Sequence, residues 1–219
     1  MHDIIYTATT WIIPLLLSVI VHEVAHGYVA MKLGDYTAKA MGRLTLNPKS
    51  HIDPIGSLLV PGVLLLAHAP FLIGWARPVP VDYRNLRHPK RDMGLVAAAG
   101  PLSNLLLAVI FVLVLRILLF IVPDGPILHW LFLNLENGIA ICLVLCIFNL
   151  LPILPLDGGR IVSSLLPVKL SIEYQKTEPY GMFVLIGLLF MPSIFGINII
   201  SWFINVLYPY FMGILRFFM

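Results

Sequence analysis

Charge is what this sequence lacks. Asp, Glu, Lys and Arg make up 11% of its 219 residues, against roughly 25% in soluble domains. Long polar runs are missing as well, the longest covering about twenty residues, so nothing is left over for a separate soluble domain. Cysteine is scarce: Cys142 and Cys146 share one apolar segment and have no histidine at metal-ligand spacing. That excludes a disulfide framework and a cysteine zinc site, and both read as small buried hydrophobes. No basic flank precedes the amino-terminal apolar run, so no cleavable signal is expected. The net charge of +3 is small and its basic residues are scattered among loops, which excludes a nucleic-acid surface.

What is there is apolar. A hydrophobic content of 59% and a mean hydropathy of +0.94 predict an all-α, multi-pass integral membrane protein seated in the lipid bilayer. A spanning helix needs about 20 mostly apolar residues. Segments 4–31, 93–122 and 127–151 qualify, and 181–219 is long enough for two spans, with Pro192, Ser193 and Gly196 marking the turn. Residues 52–76 are apolar but interrupted by Pro54, Pro61, Gly62, Pro70 and Gly74, with His68 among them. The loops on either side, 32–51 and 77–92, are both basic, and a crossing between them would put basic loops on opposite faces. A segment that enters the membrane and returns keeps both loops cytoplasmic. It places Arg160, Lys169, Lys176 and Arg216 there too, which accounts for 13 of the 14 Lys and Arg.

The chemistry lies in the first span, where residues 22–26 read His-Glu-Val-Ala-His. Histidines four apart are about 40° apart around a helix of roughly 3.6 residues per turn, so both rings reach one metal ion. Glu23 between them is placed to take a proton from water activated by that metal. A charged cluster in an apolar span is costly and calls for a functional explanation. Two histidines supply too few ligands, because a catalytic zinc usually has three from protein plus water. Asp157 is the best remaining candidate. Pro152 and Pro155 end the helix ahead of it, and Gly158 and Gly159 let the backbone turn closely beneath the carboxylate. It can meet His22 and His26 only if spans 4–31 and 127–151 run parallel, which a re-entrant 52–76 permits and a fully spanning one forbids.

In order and in apolar context, three motifs give the chain a family resemblance: 22–26, Gly100-Pro-Leu-Ser-Asn104, and the stretch from Asn149 to Arg160 with its Pro-Leu-Asp157-Gly-Gly. It resembles the site-2 proteases, zinc metalloproteases that cut the transmembrane helices of other proteins. The resemblance covers a three-span catalytic core over residues 1–165, leaving 166–219 as carboxy-terminal transmembrane helices. It implies that His22, His26 and Asp157 hold one zinc ion and that Glu23 is general base and proton shuttle. Asn149 matches an asparagine that helps to hold the substrate or its oxyanion. The Asn47-Pro-Lys-Ser-His51 stretch is similar to that of compact members, as candidates for binding substrate or supporting the site. The PDZ and CBS domains of other members have no counterpart here. A transmembrane protein substrate and a cytoplasm-facing site in the cell membrane are implied; the oligomeric state is not.

Blander readings stand beside these. Asn149 could simply bond a neighbouring helix, and Gly100 and Asn104 read as close helix packing rather than chemistry. His51 and His68 read first as interfacial hydrogen-bonders. Residues 36–46 alternate, with Gly42 as a turn, which suggests a small β-hairpin at the membrane surface whose edge could pair with an unwound substrate, against a plain loop. The rival class is a zinc-binding transporter or an inactive scaffold. A transporter would be expected to show inverted repeats or paired broken helices, which are not found in this sequence. A scaffold has no use for a glutamate in the base position. A metalloprotease of soluble segments is expected to bring a sizeable soluble catalytic domain, for which this sequence leaves no room.

Overall fold

A computed structural model describes residues 2–66 and 74–218. His68 and the tip of the 52–76 segment lie outside the described residues. Among the described residues every regular element is helical. Helix α1 is His2–Leu33 and α2 is Thr37–Ala40, and a wide turn over Pro54–Leu59 leads into α3, Val60–Leu66. Then follow α4 (Pro89–Ile121), α5 (Pro126–Asn149), α6 (Asp157–Leu165), α7 (Val168–Gln175), α8 (Glu178–Phe195) and α9 (Ile199–Arg216). Pro89 and Pro126 open α4 and α5, where a missing N–H costs nothing and the fixed φ suits the helix.

Helices α1, α4 and α5 pack pairwise into the core. Trp130 Nε1 donates to Thr9 Oγ1 (3.1 Å), Asn137 Nδ2 to Thr10 O (3.0 Å), and Ser18 Oγ lies 3.0 Å from Cys142 Sγ. The paired numbers rise together, so α1 and α5 run parallel. On α4 the order reverses: His26 sits against Val96 and His22 against Asn104, so α4 is antiparallel to both. A Cβ at Gly138 would meet the Phe111 ring and Pro14, so this glycine lets α5 pack against both α4 and α1. Polarity is arranged for lipid. Thr10, Ser18 and Asn104 are buried, while Trp11, Ile12, Leu16, Leu102, Leu106 and Phe120 face outward. Hydrocarbon cannot hydrogen-bond, so the polar groups find their partners inside the bundle.

Among the described residues four helices are long and apolar enough to cross a membrane: Tyr6–Leu33, α4, α5 and α9, the last within the expected carboxy-terminal pair. Helices α8 and α9 have 18 residues each, about 27 Å at 1.5 Å per residue. The break between α8 and α9 is at Gly196, whose φ of +70° is the left-handed conformation that glycine adopts freely. Helix α9 joins the core, with Leu215 buried among Leu107, Phe111, Val112, Ile139 and Leu143. Its end is tied down by Arg116 Nη1, which donates to Phe218 O (2.9 Å). Arg116 is about 18 Å along α4 from Asn104. Phe218, two residues after Arg216, is thus held towards the end of α4 remote from His22 and His26.

The β-hairpin over 36–46 is also corrected, because α2 occupies its first half. Asp35, wholly buried, accepts the Thr37 N–H (3.0 Å) and starts a helical turn where a strand was expected. Its carboxylate also accepts the Asp82 N–H (2.8 Å) and Asn85 Nδ2 (3.1 Å), tying this loop to the next. Gly42 is a turn, with φ +64°. Across the 52–76 segment the two ends lie side by side. Trp75 N–H donates to Gly56 O (3.1 Å), Ser57 Oγ to Trp75 O (2.9 Å) and Arg77 N–H to His51 O (2.8 Å).

Candidate metal centre

One turn of α1 carries both histidines towards α4, and the break after α5 brings a carboxylate to meet them. His22 Nε2 and His26 Nε2 are 3.0 Å apart, and Asp157 Oδ2 lies 3.2 and 3.4 Å from them. Ligands on a tetrahedral zinc at about 2.0–2.1 Å stand about 3.3 Å from one another, so these three separations fit one small cation. His26 Nδ1 lies 2.7 Å from Val96 O, an acceptor only; the proton is therefore on Nδ1 and a lone pair on Nε2. Asp157 Oδ2 is buried and receives no hydrogen bond. A buried carboxylate oxygen without a hydrogen bond, beside two imidazole nitrogens, is a donor set for a divalent metal.

Glycines make the space. A Cβ at Gly100 would fall onto the rings of both histidines, 2.6 Å from His22 Nε2. Gly158 and Gly159 begin α6 directly under the preceding turn, where added Cβ atoms would strike the Leu150 carbonyl and Leu154 N. Their value is room, since neither has a positive φ.

Glu23 faces a cavity of about 350 Å³ that it shares with His22, His26, Asn149, Asp157 and Arg160. An irregular strap over residues 76–82 forms one wall through Pro78, Val79 and Val81. Val79 N–H donates to Glu23 Oε2 (2.8 Å). The strap is held from behind by Arg43, whose Nη2 donates to Arg77 O (2.8 Å) and Pro78 O (3.3 Å). Val79 seats on Gly27, where a Cβ would come within 2.6 Å of its Cγ1. Arg160 donates to Tyr83 OH (2.9 Å) and Glu178 Oε1 (3.0 Å), linking α6 to the strap's far end and to α8. Burial pushes the Tyr83 hydroxyl up, so it stays protonated. A larger cavity of about 710 Å³ between the start of α4 and α6 lies apart from these groups and holds none of the converging donors.

The other expected residues are placed as follows. Asn149 lines the cavity and spends one amide hydrogen on Leu145 O (3.0 Å). Gly100 and Asn104 lie against the histidines. Asn47 and His51 do not line the cavity: Asn47 caps the turn Pro48–Ser50, and His51 Nε2 bonds Thr45 O (2.8 Å) while its carbonyl anchors the strap.

Comparison with known proteins agrees with this geometry. The model for peptidase family M50 matches residues 122–192. YwhC of Bacillus subtilis is 43% identical over 183 residues, covering 83% of this chain and 80% of that protein. The chain belongs to peptidase family M50, the site-2 protease family of metalloproteases. Rip2 of Mycolicibacterium smegmatis is 30% identical over 201 residues, covering 90% of this chain and 70% of its own length. Both relatives carry the name putative zinc metalloprotease. A zinc metalloprotease of Methanocaldococcus jannaschii is 28% identical over 170 residues, which cover 77% of this chain and 38% of that protein. No solved structure matches.

For a member of this family, the strap and its Arg43 anchor were not found from sequence. The available signal is Pro78-Val-Pro80, since alternating prolines hold a chain extended and remove the donors that helix needs. Gly100→Ala should displace both imidazoles and weaken metal retention at least about tenfold. Gly187→Ala, where a Cβ meets nothing within 4 Å, should leave it unchanged. Metal content after a timed chelator challenge measures both.

Proposed function

We propose that the protein is an intramembrane zinc endopeptidase that hydrolyses peptide bonds in or near transmembrane helices of other proteins. The observation that carries this reading is the meeting of His22, His26 and Asp157 beside Glu23 within a bundle of membrane-length helices. His22 Nε2, His26 Nε2 and Asp157 Oδ2 would hold one zinc ion. Zinc bound there supplies Lewis-acid chemistry, polarising a carbonyl and making water acidic near neutral pH.

The chain's own groups do the rest. Glu23 takes a proton from the attacking water and returns it to the leaving amide nitrogen. Val79 N–H fixes one oxygen of that carboxylate, whose residue lines the cavity. Asn149 keeps a second amide hydrogen for the substrate carbonyl, where developing negative charge needs a donor. A transmembrane helix protects its peptide bonds with its own hydrogen bonds, so the substrate unwinds locally before it enters. The apolar outer faces of α1 and α4 support approach through lipid.

The reading places the cavity on the cytoplasmic side of the cell membrane. Support comes from the two ends of 52–76, hydrogen-bonded to each other, and from the basic loops 32–51 and 77–92 on either side of them. Single cysteines introduced in each loop should label from the same face with a membrane-impermeant reagent; labelling from opposite faces contradicts the re-entrant segment. Glu23→Gln keeps size and polarity but cannot accept the proton. It should retain zinc and lose cleavage of a single-span substrate by at least ~100-fold. Near-normal cleavage by that variant places the base elsewhere.

A further inference from the structure

Asn104 is wholly buried on α4, one turn beyond Gly100, and its amide nitrogen is placed 3.3 Å from His22 Nδ1. Its amide oxygen is buried too and has no hydrogen-bond partner. With the nitrogen towards the ring, His22 would have to accept at Nδ1, so its proton would sit on Nε2. That proton would point at His26 Nε2 and Asp157 Oδ2, and His22 would have no lone pair for a metal. Turning the carboxamide over keeps its shape, because its nitrogen and oxygen are nearly alike in size and position. The oxygen then accepts Nδ1–H, and the Nε2 lone pair faces the same point as those of His26 and Asp157. His26 is already fixed in this way by Val96 O.

Resting on the metal site proposed above, we infer that Asn104 is a positioning residue: its side-chain oxygen accepts the Nδ1 proton of His22 and holds the tautomer that frees Nε2 for the metal. Each histidine is then oriented by α4, His26 through a main-chain carbonyl and His22 through a side chain. This is the outer-shell hydrogen bond that metal-bound histidines generally make. It gives Asn104 a chemical role where helix packing alone was expected.

The test is zinc affinity of the full chain in nanodiscs, by chelator competition, for the wild type and for Asn104→Leu and Asn104→Asp. Leucine keeps the bulk and removes the acceptor, so affinity should fall about 10–100-fold. Aspartate restores an acceptor and should stay within a few-fold of the wild type. Equal loss in both variants, or no loss with leucine, overturns the inference. Nitrogen-15 NMR of the metal-free wild type, with His22 assigned by difference from His22→Gln, needs no Asn104 variant. It should find the His22 proton on Nδ1, and a proton on Nε2 overturns the inference. A wild type without zinc affinity would instead sink the metal site itself, a separate outcome.

Discussion

Inside an apolar bundle, atoms of α1 and of the start of α6 bring two imidazole nitrogens and a carboxylate oxygen to within 3.0–3.4 Å of one another. Lone pairs so close repel, and a low dielectric sharpens that repulsion. The arrangement is stable when a cation sits between them. Much of the structure follows from serving this point. The parallel course of α1 and α5 delivers His22, His26 and Asp157 from the same direction. Gly100 leaves the volume that the two rings occupy, and Gly158 and Gly159 let α6 start directly beneath the preceding turn.

A second layer controls orientation. Val96 O fixes His26, and the strap over 76–82 fixes Glu23 through Val79 N–H. The strap is pinned by Arg43 and His51 at one end and by Asp35 at the other. Three connections that look unrelated in sequence therefore converge on Glu23. A rigid carboxylate at the edge of a cavity suits proton transfer, since its position need not be found anew for each substrate.

The three core helices and the convergence of His22, His26 and Asp157 were legible in the sequence because they rest on short-range signals. Histidines at i and i+4, a proline-terminated helix before Asp157, and apolar runs of membrane length are each local. The failures were non-local. The 36–46 hairpin was lost to Asp35, whose carboxylate collects donors from residues 37, 82 and 85. Asn104 was recognised as part of a motif, but its contact with His22, 82 residues away on α1, was not.

Zinc-edge X-ray absorption on the purified, membrane-reconstituted protein tests the central claim most directly. The proposed site predicts one zinc per chain with a first shell of nitrogen and oxygen at about 2.0–2.1 Å and the scattering pattern of two imidazoles. A sulfur shell at about 2.3 Å, which would implicate Cys142 and Cys146, or zinc bound without imidazole, would contradict it.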